Sequence, residues 1–318
     1  MMTKLQFGFK VLQPGTVSTI QDIGRFGWQH LGICPGGPMD HRAFSIANQL
    51  LHNDVDTAVL ELAGFGFRAQ ATSDLNIALA GADIGFHLND QPVQPWQTIQ
   101  VKHGDILTTK GGRQGQWAYI AVQGGWQTPQ VLNSRSTSPR IQLGGFHPSA
   151  QSIQANDFLS CRPQTQYTAQ CLLQRFQPQY QFAPVLRFIP GDQFNLFNRL
   201  WIQQFFQTQF RVTAWSDRMA VRLSAEGLSH QVSGGYSEGN CYGAVQIPEN
   251  GSPIILLRDR QTVGGYPKIG SLLPMDADRL AQCHPNTKVR FTQISLQDAQ
   301  SIFSQYAKAE FPLQKKEP

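Results

Sequence analysis

The segment Arg258–Gly270, Arg-Asp-Arg-Gln-Thr-Val-Gly-Gly-Tyr-Pro-Lys-Ile-Gly, looks least like ordinary packing and most like a site. Asp259, Gln261 and Thr262 bring a carboxylate, an amide and a hydroxyl within four residues. Gly264 and Gly265 offer backbone N–H groups unshielded by side chains, and glycine reaches conformations closed to other residues. Pro267 stiffens the exit. The set lets side-chain polar groups and main-chain N–H groups approach one ligand together. A polar loop with a Gly-Gly turn is the bland alternative.

Elements must hold that loop. It follows Ser-Pro-Ile-Ile-Leu-Leu, an apolar run of strand length. Glu249-Asn250-Gly251 reads as a hairpin turn, so Ala244–Ile247 and Ile254–Leu257 should pair and deliver Asp259 and Gln261 at the hairpin end. Two further polar clusters stand out: Gln21, Asp22 and Arg25 between glycines, and Ser216-Asp-Arg-Met-Ala-Val-Arg-Leu. Asp22 and Arg25 form either a structural ion pair or, through Arg25, a bidentate anion site. Asp217-Arg218 faintly echoes them. The Gly234-Gly-Tyr-Ser-Glu-Gly stretch is a third polar cluster.

Upstream, Phe7–Leu12 reads as a first strand. A helix begins near Pro38, capped by Asp40, with Ala43, Ile46, Ala47 and Leu50 at helical spacing. Strands then dominate from Ala58 to Lys110 and through Gln116–Val122. Glu61 inside an apolar strand is expected to face solvent, and His87 to sit on a sheet face. Asn133-Ser-Arg-Ser-Thr-Ser reads as a loop with helix-cap chemistry. Pro163–Pro184 is the candidate linker. Beyond it come a helix over Leu196–Phe206 with Phe197, Leu200, Trp201 and Phe205 on its inner face, and a short helix over Asp276–Cys283. A strand at Lys288–Phe291, a helix over Ser295–Ala307 and a frayed end complete the chain.

Composition narrows the function classes. With 318 residues, 29 Gly and 19 Pro, the chain suits two turn-rich domains of short strands. Its formal charge of +5 is scattered, without a basic run or nucleic-acid motif, so an anionic small substrate fits better than nucleic acid. The five cysteines include no Cys-x-x-Cys pair, which argues against a metal site or a disulfide framework. Neither a signal peptide nor a membrane-spanning run is present, and a cytoplasmic protein is expected.

In order along the chain, several stretches carry a family likeness: Thr19-Ile-Gln-Asp-Ile-Gly-Arg, Gly36-Gly-Pro-Met-Asp with Ala47-Asn48, Ala80-Gly-Ala-Asp and Asn133-Ser-Arg-Ser-Thr. Further on come Ser216-Asp-Arg-Met-Ala-Val-Arg-Leu, Ser237-Glu-Gly, Gly243-Ala-Val-Gln-Ile-Pro and Asp259-Arg-Gln-Thr-Val-Gly-Gly-Tyr-Pro-Lys-Ile. Together, from about Gly15 to Phe291, they resemble the biotin-dependent carboxyltransferase-domain family that includes the C-type subunit of bacterial ATP-dependent 5-oxoprolinase and the allophanate hydrolase subunit 2-like region of urea amidolyase. Ala220 and Cys241-Tyr242 depart from its usual Gly and Pro.

The resemblance implies a mostly β chain with a few helices, built as two cyclophilin-like β-barrel domains, here placed at residues 1–175 and 176–318. It implies two partners, a kinase-inhibitor-type subunit and a third subunit, with ATP used by the assembled complex to open 5-oxoproline into glutamate. This chain carries no biotin attachment segment and no Walker-type loop. On those motifs, Asp259, Gln261 and Thr262 are the candidate catalytic residues. Gln21, Asp22, Arg25, Arg218, Met219, Arg222, Gly264, Gly265 and Tyr266 are the candidate substrate-binding residues, with Arg25 or Arg222 taking a substrate carboxylate. The alternatives are a carboxyltransferase component acting on urea or a related amide, and an antagonist that binds a kinase-inhibitor-type protein.

Overall fold

The computed structural model describes residues 7–112, 114–163, 166–180, 183–229, 232, 236–308 and 311–315. The chain forms two compact units, one of Met1–Arg25, Gly36–Tyr180 and Phe311–Pro318, the other of Phe26–Pro35 and Gln181–Glu310. Against the expected boundary at 175/176, residues 26–35 and 311–318 each belong to the unit that the linear division does not give them. The candidate linker is not free chain. It contains the strand Gln170–Leu172, which pairs with Leu313–Lys315, so the chain end expected to fray is a sheet edge.

In the first unit, two antiparallel sheets share one hydrophobic core. One runs Val17–Gln21, Val59–Ala63, Gln114–Val122, Leu75–Asp83, Gln97–Val101, Gln170–Leu172, Leu313–Lys315; the other contains Phe158–Ser160, Gly8–Pro14, Phe67–Ala71, Ile106–Thr109, Phe86–Leu88 and Gln91–Pro92. Leu75–Ala82 is buried at every residue, because the second sheet covers one face and helix α1 (His41–Leu50) packs over the strand. That double cover is why residues 77–82 read as a small and apolar run, with Asn76 the buried polar exception. Asp40 caps α1 as its position suggests, its carboxylate accepting from Ala43 N–H at 3.0 Å.

Glu61 corrects the sequence reading. It is fully buried rather than solvent-facing, accepting the Met39 N–H at 2.8 Å and the Tyr119 hydroxyl at 2.9 Å. A buried carboxylate is tolerable when charge-assisted hydrogen bonds replace water. Burial, then the nearby Glu61 and Asp40 carboxylates, push the Tyr119 hydroxyl well above the usual tyrosine range, so it stays a donor.

The second unit closes into a seven-stranded barrel: Val185–Pro190, Lys268–Leu272, Ala244–Gln246, Ile254–Leu256, Ala220–Ser224, Phe210–Val212 and Lys288–Gln293, the last returning parallel to the first. The hairpin expected from Glu249-Asn250-Gly251 is present, with Val245 opposite Ile255 and Gln246 opposite Ile254. Helix α2 (Arg199–Gln207) starts later than expected. A 3-10 turn at Phe194–Leu196 precedes it and Asn198 caps it, accepting from Trp201 N–H at 2.8 Å. Phe197, Trp201 and Phe205 stack in series, and Phe205 continues onto Phe291 of the barrel at 4.7 Å between ring centres. Leu200 is the exception to the expected inner face, being 73% exposed because its place on the turn points away from that stack. Helices α3 (Pro274–Ala281) and α4 (Leu296–Lys308) complete the unit. Ala220, at a position where the sequence resemblance leads one to expect Gly, puts its methyl into a small buried cluster with Ala244, Ile254 and Leu256.

Candidate functional site

Two loops, one in each unit, are each organised by a buried aspartate. In the second unit the aspartate is Asp259, in the loop that leaves the Ile254–Leu256 strand through Leu257 and Arg258. Both of its oxygens accept from Arg218: Nε to Oδ2 at 2.8 Å and Nη2 to Oδ1 at 3.1 Å. Both residues are almost wholly buried, and the Asp259 N–H also donates to the Arg218 carbonyl at 3.0 Å. This fork-to-fork pairing fixes the root of the loop. It holds the Asp259 carboxylate in a single orientation.

Beyond Asp259, the loop is clamped from one side. Val263–Gly264 forms a two-residue ladder with Glu238–Gly239. Asn240, buried, donates its N–H to the Thr262 carbonyl at 2.8 Å and its amide Nδ2 to the Gln261 carbonyl at 3.1 Å. Lys268 Nζ ties the same strand down, donating to the Gly239 carbonyl at 2.8 Å and pairing with Glu238 at 3.0 Å. The loop's base is equally charged. Arg260 is buried and donates to the Asn240 and Leu257 carbonyls, and burial, then Arg258, pulls its pKa below the usual guanidinium range. Arg258 pairs with Asp278 at 2.8 Å and stacks 3.8 Å over the Tyr242 ring, whose hydroxyl donates to the same carboxylate. Tyr242 thus serves as a platform for Arg258.

These constraints leave a cavity of about 600 Å³, which Gln246, Gln261, Gly264, Gly265 and Tyr266 help to line. Gln261 presents a half-buried amide whose Oε1 has no hydrogen-bond donor among the described residues. Such an oxygen costs about 1–3 kcal/mol while unpaired. Gly264 adopts no unusual backbone, contrary to the sequence expectation, but its small size lets two amide side chains approach. A Cβ there would stand 2.9 Å from the side-chain nitrogens of both Asn240 and Gln246.

In the first unit the organising residue is Asp22, held by neutral donors. Its Oδ1 accepts from the hydroxyls of Ser134 and Ser136, each at 2.6 Å, and from Gly24 N–H at 3.0 Å, while Oδ2 accepts from Arg135 N–H. Arg25 is 1% exposed and donates to the Ser138 hydroxyl at 2.8 Å and to the Ser136 carbonyl. Gln21 donates to the Thr137 carbonyl at 3.1 Å. All three candidate residues of this cluster therefore grip one segment, Ser134–Ser138. The helix-cap reading of that segment is corrected: the 3-10 turn that follows, Pro139–Ile141, has no side-chain cap, and the hydroxyls of Ser134 and Ser136 go to Asp22 while that of Thr137 donates to the Ile20 carbonyl. Gly144 closes the arrangement. At φ 73° its missing Cβ would stand within 2.3 Å of the Ser136 carbonyl oxygen and Arg25 Nη2.

The structure thus brings Arg218 to Asp259, and Gln261, Gly264, Gly265 and Tyr266 around one cavity, while Gln21, Asp22 and Arg25 lie in the other unit. Arg222 is exposed on the strand Ala220–Ser224, and Met219 packs against the small cluster around Ala220. The Asp22/Arg25 and Asp217/Arg218 echo does not extend to geometry, because Asp217 caps the N–H groups of Met219 and Ala220. Gly234 and Gly235 lie outside the described residues. Sequence reasoning missed Asn240, Lys268, Ser134, Ser136 and Ser138. The hydroxyl density of Asn133–Ser138 and the Ser237-Glu-Gly-Asn run were their only signals. Among the described residues no group of three or more His, Cys, Asp or Glu side chains could hold a metal ion, and no helix is long and apolar enough to cross a membrane.

A mostly β chain with this ordered pair of aspartate-pinned loops belongs to the carboxyltransferase-domain family: the family model for carboxyltransferase domain, subdomain A and B, matches residues 31–293. More particularly, the chain is 34% identical over 304 residues to the C-type subunit of 5-oxoprolinase from Haemophilus influenzae, covering 92% of this chain and 93% of that protein. It is 31% identical over 291 residues to the corresponding 5-oxoprolinase subunit of Escherichia coli, covering 91% and 92%. In fold it matches the crystal structure of Kluyveromyces lactis urea amidolyase with a TM-score of 0.87 at 24% identity, over 96% of this chain and 20% of that one.

Proposed function

We propose that this chain is a subunit of an ATP-dependent 5-oxoprolinase, which hydrolyses 5-oxoproline to glutamate in a complex with a kinase-inhibitor-type partner and a third subunit. One observation carries the reading: a relationship spanning nearly the full length of both chains to two proteins named as the C-type subunit of that enzyme. ATP is used by the assembled complex, and we assign no nucleotide step to this chain's residues.

The loop after Asp259 is the part we assign to the lactam. A lactam carbonyl is a poor electrophile, so fixed donors aimed at its oxygen are worth more than flexible ones. The Arg218–Asp259 pair and Asn240 hold the loop rigid. The Gly265 N–H serves as a donor to the developing negative oxygen, the Gly264 N–H being taken up by the ladder with Glu238, and Gln261 with Thr262 reads the amide edge. Gln261 gains most from this, since substrate N–H satisfies an oxygen otherwise left without a donor.

The relationship to fungal urea amidolyases, such as that of Saccharomyces cerevisiae at 24% identity over 92% of this chain, favours a second reading, a carboxyltransferase component acting on urea. Reconstitution with both partner subunits separates the two. ATP-dependent glutamate release from 5-oxoproline, lowered about a hundredfold by Asp259→Asn, supports the lactamase. Turnover of urea with a carboxybiotin donor supports the second reading. A tight complex with the inhibitor-type partner and no amide hydrolysis would replace both with an antagonist.

A further inference from the structure

The cavity beside Gln261 contains no Lys, Arg or His among its described lining residues, and Glu249 adds a negative charge. It is built for a neutral amide and gives a carboxylate no counter-ion. The two arginines expected to supply one do not line it: Arg25 is buried against its own loop in the other unit, and Arg222 sits exposed on the strand Ala220–Ser224.

In the first unit a polar cavity of about 390 Å³ lies where the Asp22 loop meets Asn53–Thr57 and Gln123–Gln127. Arg135 lines it. Its backbone N–H is fixed on the Asp22 carboxylate, and its half-buried side chain has no hydrogen-bond or ion-pair partner among the described residues. A pinned backbone carrying an unengaged, partly desolvated guanidinium is an efficient holder of planar oxyanions, because the fork is always charged and little of its freedom remains to be lost on binding. Arg162 lines the same cavity from an exposed position and adds positive potential.

Three carboxylates share this cavity and must be weighed. Asp22 already accepts four hydrogen bonds, so its charge is spread over its own donors. Asp54 and Asp56 are exposed at the rim, where water screens them. They weaken the site without filling it.

We propose that Arg135 forms a binding site for a planar oxyanion, a carboxylate or bicarbonate, in the first unit. The site stands independently of the 5-oxoprolinase reading. Its test is binding to the full-length chain, followed by calorimetry or by NMR of the arginine side chains, with sodium acetate, bicarbonate, 5-oxoproline and urea as probes. Acetate is expected to bind in the millimolar range and urea not to bind at this site. Arg135→Met should weaken acetate at least about tenfold while leaving the melting temperature unchanged, since only the backbone of Arg135 holds Asp22. Arg135→Lys should restore part of the affinity, and Asp54→Asn with Asp56→Asn should tighten it by removing rim charge. A 5-oxoproline affinity well above that of acetate would mark the source as the substrate carboxylate, and a bicarbonate preference would mark it as inorganic. Equal acetate affinity in native chain and Arg135→Met, or urea binding as well as acetate, would overturn the proposal.

Discussion

Asp22 and Asp259 solve one problem by opposite chemistry. Each is a buried carboxylate that fixes a loop rich in family motifs, yet Asp22 is surrounded by hydroxyls and N–H groups whereas Asp259 faces a single guanidinium. Neutral donors spread the cost of burying a charge over several weak partners. A buried ion pair concentrates it on one, and removing that partner strands a charge in a low-dielectric interior. The first unit should therefore yield gradually to substitution and the second abruptly.

The largest expected effect is at Arg218. Arg218→Ala leaves Asp259 buried without its guanidinium and should cost about 3–5 kcal/mol in urea unfolding of the chain. The matching change in the first unit, Ser136→Ala, removes one of Asp22's four donors and should cost only about 1.5–3 kcal/mol. If the two costs came out equal, the contrast between the loops would be lost. The comparison sharpens with the double variant Arg218→Met/Asp259→Leu. Apolar replacement of a buried pair is often neutral or stabilising, so stability should return to within about 2 kcal/mol of native while activity of the assembled complex stays low. Recovery of activity together with stability would show that the pair serves folding alone.

Smaller still is the effect at Cys283. Burial pushes this thiol up to about 12 from its usual value of 9.0, whereas Cys241 is exposed. Native protein at pH 8.5 should alkylate at Cys241 and leave Cys283 intact until it unfolds. The sign of the linkage follows: between about pH 9 and 12 the unfolded chain loses the Cys283 proton and the folded chain keeps it, so stability falls as pH rises through that window. A Cys283 that reacts as quickly as Cys241 would contradict its burial.

Local pattern was readable in both units. The Asp40 cap, the strand alternation and the 244–257 hairpin all follow from nearest-neighbour chemistry, and the order of motifs gave the family. Glu61 was misread because a strand's period tells which residues share a face but not whether a tyrosine and a backbone N–H wait on it. Leu200 was misplaced because one turn of an amphipathic helix covers fewer residues than its apolar composition suggests. The partners of the two aspartates were hidden for a different reason. Arg218 lies 41 residues from Asp259, and Ser136 lies 114 from Asp22, and no periodicity spans such separations. Arg135 stood inside a recognised motif, but only the structure separates it from Arg25 by showing which guanidinium is already engaged.

The decisive assay is the rate of ATP-dependent glutamate release from 5-oxoproline by the chain combined with its two partner subunits. We expect release only when this chain is present, lowered about a hundredfold by Asp259→Asn and, less severely, by Gln261→Ala. Undiminished release without the chain, or with Asp259→Asn in its place, would contradict the assignment.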